Sequence, residues 1–144
     1  MKPESARERS GAAQAMDAGP PWRVLLVDDC ADDTELVCIE LAHGGLDVLC
    51  RRVDSEPQVL EALRSFKPHL VLSDINMPGF SGERALQLVH DAAPATPFAY
   101  LSGDRGAYGE ETPAGDVEHL SKDRLDQLPA FARRLLGTAE FPRP

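Results

Sequence analysis

At 144 residues, 42% of them apolar, the chain is long enough for one domain with a complete hydrophobic core. Its 15 basic and 24 acidic side chains leave a net charge of −9, all of it on residues 22–144, because residues 1–21 carry three charges of each sign. Such an acidic body argues against direct binding to a nucleic-acid backbone and invites a cation, and no apolar run approaches the ~18 residues of a membrane span.

The segment from Met1 to Arg9 lacks the apolar core of a signal peptide. Cys30, Cys38 and Cys50 are odd in number and lack metal-ligand spacing, which points to reduced thiols in a cytoplasmic protein. Residues 1–21, rich in Ala, Ser, Gly and charge and closing on Gly19, Pro20 and Pro21, read as a disordered arm. Val24 to Val27 is a continuous apolar run ending at Asp28 and Asp29, the pattern of a buried parallel strand. Asp32 with Glu35 three residues on reads as a capping box for a first helix. Its apolar residues are Leu36, Val37, Ile39, Leu41 and Ala42, and Gly44 and Gly45 end it.

Asp47 to Val53 is a second, less buried strand. Ser55, Pro57 and Gln58 announce the next helix, with an apolar stripe of Val59, Leu60, Leu63 and Phe66. Leu70 to Leu72 is a third strand that stops at Asp74, and Met77, Pro78, Gly79 and Ser81 then force a turn that aims this carboxylate. A helix from Gly82 to about Ala92 follows, then a fourth strand from Pro97 to Leu101 that stops at Ser102 and Gly103. Gly106, Gly109, Pro113 and Gly115 leave room for a short or irregular fourth helix. Val117 to Leu120 form a fifth strand before Lys122, and Leu128, Phe131, Ala132 and Leu135 line one face of a last helix with Pro129 in its first turn.

Strand and helix thus alternate about five times, which defines a doubly wound α/β fold, a five-stranded parallel sheet with helices on both faces. The strand ends gather Asp28, Asp29, Asp74, Ser102 and Lys122 on one edge. Clustered carboxylates raise one another's pKa unless a cation neutralises them, and Mg2+ prefers such oxygen ligands. An ammonium and a hydroxyl beside them complete a set suited to phosphoryl transfer onto an aspartate.

In this order and at these strand ends, Asp28-Asp29, Asp74 with Met77-Pro78 and Gly82, Ser102-Gly103 and Lys122 resemble the receiver domains of two-component response regulators, whose fold is flavodoxin-like. The resemblance covers residues 22–136, and 137–144 then read as a tail or the start of a linker. It implies that Asp74 accepts a phosphoryl group from a histidine kinase or a phosphotransfer protein. It implies Mg2+ bound by Asp29, Asp74 and the backbone carbonyl of Asn76, with Asp28 acting through a water. Lys122 and Ser102 would contact the phosphoryl group, and Ser102 with His119 would form the switch. Asn76 and Asp104 would flank a hydrolytic water and shorten the life of the phosphoryl group.

More loosely, the end of the domain is similar to receivers that precede sensory or output modules, so a downstream domain or partner protein is implied. A homodimer through the last helix stays open. Two positions depart from the family: Asp123 stands where a Pro usually follows the Lys, and His119 stands where Tyr or Phe is usual. These departures keep a second reading in view, a receiver-like interaction module with little or no regulated phosphorylation. An aspartate-nucleophile phosphatase would need a second Asp where Cys30 stands, and a flavin binder would need a Ser/Thr/Gly-rich loop after the first strand.

Overall fold

The computed structural model describes residues 20–102 and 117–137. Strand β1 (Trp22–Val27) lies inside the sheet, and its residues Val24 to Val27 are buried because both of its faces are covered. β2 (Val48–Val53) pairs with it on one side and β3 (Leu70–Ser73) on the other. β4 (Phe98–Ser102) and β5 (Glu118–Ser121) extend the sheet to the order β2-β1-β3-β4-β5, every pair parallel. The chain moves outward from β1 in one direction and then restarts in the other, so the β1/β3 junction is a switch point where strand ends open a crevice.

Side chains alternate between two cores. Val24, Leu26, Leu70, Leu72, Ala99 and Leu101 pack under helix α1 (Ala31–His43) and the last helix, α4 (Leu128–Gly137). Leu25, Val27 and Val71 pack on the opposite face, under α2 (Glu56–Ser65) and α3 (Gly82–Ala92). Leu128, Phe131, Ala132 and Leu135 are buried as their spacing predicts. β2 is the less buried strand expected and lies at the edge of the sheet, with Arg51 stacked over the Phe66 ring at 4.7 Å.

Four details differ from the sequence reading. The buried face of α1 is Thr34, Val37 and Leu41, whereas Leu36 and Ile39 are exposed, because the three- and four-residue steps of that face leave positions 36 and 39 on the far side. In α2 the same rule buries Ala62 and leaves Leu60 outside. Further, α1 starts at Ala31 with Cys30 as its N-cap, so Asp32 lies inside the first turn and is not a cap. Ser55 does stand at the N-cap of α2, but Gln58 accepts the Asp54 amide at 2.9 Å instead of closing a box on Ser55.

The C-terminus of α1 closes as the paired glycines predict. Gly45, at φ 92°, donates to the Ala42 carbonyl and Leu46 donates to the Leu41 carbonyl. Gly44 needs its missing side chain for another reason, since a Cβ there would lie 2.3 Å from the Pro129 ring of α4.

After β3 the chain forms a two-residue hairpin. Asn76–Met77 pairs with Phe80–Ser81, and Gly79 turns the tip at φ 74°. Met77 and Phe80 are buried in the α2/α3 core, which anchors the loop. Ser81 then caps α3 by accepting the Arg84 amide at 3.0 Å, and the Gly82 amide returns to the Ile75 carbonyl at 2.8 Å. A Cβ on Gly82 would meet the Asp74 carbonyl oxygen at 2.4 Å and the Tyr100 ring at 2.9 Å. The expected short or irregular fourth helix lies outside the described residues.

Gly82→Ala is therefore expected to cost about 3 kcal/mol, as overpacking against backbone does. Gly79→Ala has open space and a positive φ, and should cost about 1 kcal/mol. Urea denaturation of both variants checks this, and equal losses would contradict the packing described for Gly82.

Candidate functional site

Val27 and Ser73 are register partners, so Asp28 and Asp74 leave the sheet at the same level on neighbouring strands. The Asp74 amide continues the ladder by donating to the Val27 carbonyl at 2.8 Å. Each carboxylate is oriented by a local amide. Asp28 Oδ1 accepts the Cys30 N–H at 2.9 Å, a turn that leads straight into α1, and Asp74 Oδ1 accepts the Ile75 N–H at 2.7 Å. Asp29 is exposed beside them. One oxygen from each of Asp28, Asp29 and Asp74 lies within 4.8 Å of the others, an all-oxygen donor set that fits a hard divalent cation.

The same register logic delivers the opposite charge. Ser102 and Ser121 are partners across β4 and β5, and Lys122 follows directly. Its Nζ lies 2.7 Å from Asp28 Oδ2, 2.8 Å from Asp33 Oδ2 and 3.9 Å from Asp74 Oδ2. Lys122 and Asp28 are nearly buried, with side chains 11% and 7% exposed. Where the family usually has a proline, the Asp123 amide donates to Ser121 Oγ at 3.0 Å, a bond proline cannot make, and residues Lys122–Gln127 continue as a 3-10 segment into α4.

The charges perturb one another in opposite directions. Burial raises the Asp74 carboxyl above its ordinary range, Lys122 pulls it back, and Asp28 and Asp29 add to the rise. The hydrogen bond from Lys122 lowers Asp33, against a smaller opposing effect of burial. For Lys122 burial opposes the ammonium, but the bonds to Asp28 and Asp33 outweigh it and hold the group above the ordinary lysine range.

Asp28, Asp29, Asp74 and Lys122 are thus brought together, and Ser102 is buried at the adjoining strand end. Asn76 opens the hairpin two residues past Asp74. His119 is exposed beside its register partner Tyr100, which is fully buried. Asp104 lies outside the described residues. Asp33 was not anticipated. An acid in the first turn of a helix already has an ordinary explanation in the helix dipole. The available signal was a second acidic pair, Asp32 and Asp33, directly behind the first.

Residues 24–130 match the family model described as the response regulator receiver domain, and the chain belongs to that family. It is 30% identical over 125 residues to the DNA-binding transcriptional regulator NtrC of Escherichia coli K12, covering 85% of this chain and 26% of that protein. The chain thus spans about a quarter of the length of such relatives. The solution structure of the apo receiver domain of nitrogen regulatory protein C is similar at a TM-score of 0.64 and 28% identity, covering 81% of this chain and 94% of that one. NtrX from Brucella abortus is similar at a TM-score of 0.70 and 26% identity, covering 83% of this chain and 27% of that one. No described helix is long and apolar enough to cross a membrane.

The pKa directions set a pH window for the ion cluster. Asp33's lowered pKa contributes stability that is present above the ordinary carboxylate range and lost as pH falls through its folded value. The raised pKa of Lys122 contributes stability that is present below the ordinary lysine range and lost as pH rises through its folded value. Lys122→Met should therefore destabilise the protein in chelator at pH 7, by about 2–3 kcal/mol because Asp33 is partly exposed. The gap should close as the pH falls below about 4. Urea titrations at pH 7 and pH 3 measure it, and an unchanged gap would contradict the assignment.

Proposed function

We propose that this chain takes a phosphoryl group onto Asp74 from the phosphohistidine of a histidine kinase or a phosphotransfer protein, and that this changes its affinity for a downstream domain or partner. The observation that carries the reading is the meeting of Asp28, Asp29 and Asp74 within 4.8 Å, with the Lys122 ammonium 3.9 Å from Asp74. Structural carboxylates need no such company.

Asp74 Oδ1 is occupied by the Ile75 amide, so Oδ2, on the Lys122 side, is the oxygen left to attack phosphorus. In the transfer an Asp74 O–P bond forms and the P–N bond to the donor imidazole breaks, the electron pair returning to the ring nitrogen. Burial of Asp74 leaves its carboxylate poorly hydrated, which favours attack. Asp29, Asp74 and the Asn76 carbonyl would hold Mg2+, with Asp28 acting through a water, and the ion when bound offsets the charge on the carboxylates and on the phosphoryl oxygens. Lys122 balances charge on the transferred group, and the Ser102 hydroxyl donates to one of its oxygens.

The switch then runs through Ser102 and His119, and His119 must leave its exposed position for it to operate. Polar groups at Asn76 and Asp104 would orient a hydrolytic water and keep the phosphorylated state short-lived. Residues 22–136 form the receiver in this reading, and 137–144 lead toward an output module. A cytoplasmic setting goes with a kinase partner.

The test is incubation with Mg2+ and acetyl phosphate, followed by mass spectrometry. One phosphoryl group should be added, and both chelation and Asp74→Asn should abolish the addition. A wild-type chain left unmodified would favour the interaction-module reading, and modification surviving in Asp74→Asn would move the acceptor elsewhere.

A further inference from the structure

We propose that Asp33 is a positioning residue that acts through Lys122: it shares the ammonium with Asp28 and keeps it when Asp28 turns to a cation. The inference rests on the cation-site reading of Asp28, Asp29 and Asp74 given above.

Lys122 Nζ makes two short bonds, 2.7 Å to Asp28 and 2.8 Å to Asp33, and at 3.9 Å it stops short of a bond to Asp74. Asp33 is not one of the three carboxylates gathered within 4.8 Å. It sits on the first turn of α1 and is 39% exposed. It is therefore a counter-charge to Lys122 and not a ligand.

Both oxygens of Asp28 are engaged, Oδ1 by the Cys30 amide and Oδ2 by Lys122. A cation that draws on Asp28 Oδ2 competes with the Lys122 ammonium for that oxygen's electron density, whereas Oδ1 is tied to the backbone. If Asp28 were its only close partner, displacement would strand a nearly buried ammonium, which is strongly unfavourable. With Asp33 in place the ammonium keeps a carboxylate throughout. Asp33 thus lowers the cost of handing Asp28 to the cation, and it holds Lys122 back from Asp74 until phosphoryl oxygens compete for it.

The experiment is a thermodynamic cycle on Mg2+ affinity, read from the amide NMR shifts of Cys30 and Ile75 in the wild type, Asp33→Asn, Lys122→Met and the double variant. Asp33→Asn should weaken Mg2+ about fivefold to tenfold, within the range of coupling between contacting residues. In the Lys122→Met background the same substitution should cost less than about twofold. An equal loss in both backgrounds would mean that Asp33 is only a distant charge, and the proposal would fail alone. If the wild-type amides ignore Mg2+, the cation-site reading fails and carries this inference with it.

A second measurement does not depend on Lys122→Met folding. With Mg2+ bound, the 15N-labelled Lys122 ammonium should stay protected from exchange in the wild type and lose protection in Asp33→Asn. Protection that is the same in both would overturn the proposal.

Discussion

One ammonium among four carboxylates is the interaction on which the rest of this structure turns. Lys122 bonds Asp28 and Asp33 and faces Asp74, with Asp29 alongside. Two like charges about 4 Å apart repel by about 4 kcal/mol at an effective dielectric near 20, so the cluster is costly to assemble. A single lysine offsets only part of that cost. The residual negative charge is what would let the edge hold a cation; burial raises the Asp74 carboxyl, and Asp28 and Asp29 add to that rise against the pull of Lys122.

The fold keeps the charges together by register. Val27 beside Ser73 places Asp28 next to Asp74, and Ser102 beside Ser121 places Lys122 on the same rim. The hairpin with buried Met77 and Phe80, and the close approach of Gly82 to the Asp74 carbonyl, hold the Asp74 backbone where it is. A buried sheet supplies the frame on which these charged side chains meet.

Much of this was legible in the sequence, for identifiable reasons. The apolar runs of β1 and β3 end abruptly at carboxylates, and the turn residues before Gly82 set the start of α3, which begins there. The apolar stripe of α4 was equally clear. What failed was the fine phase of short helices: Leu36, Ile39 and Leu60 are apolar yet exposed, while Thr34 and Ala62, less distinctive by composition, take core positions. Asp32 was read as a cap because the pattern permits it, but Cys30 occupies that position. Asp33 was hidden because it lies on the first turn of α1 and not at a strand end, and an acid there already has its ordinary place beside the helix dipole.

The most direct test of the account asks whether a single ion is held by both Asp28 and Asp74. The Cys30 and Ile75 amides each donate to one of these carboxylates and so report on them separately. Titrated with Mg2+ and followed together in one NMR series, both resonances should move with the same midpoint, and Asp74→Asn should weaken both. Midpoints that differ, or a Cys30 shift indifferent to Asp74→Asn, would contradict a shared site.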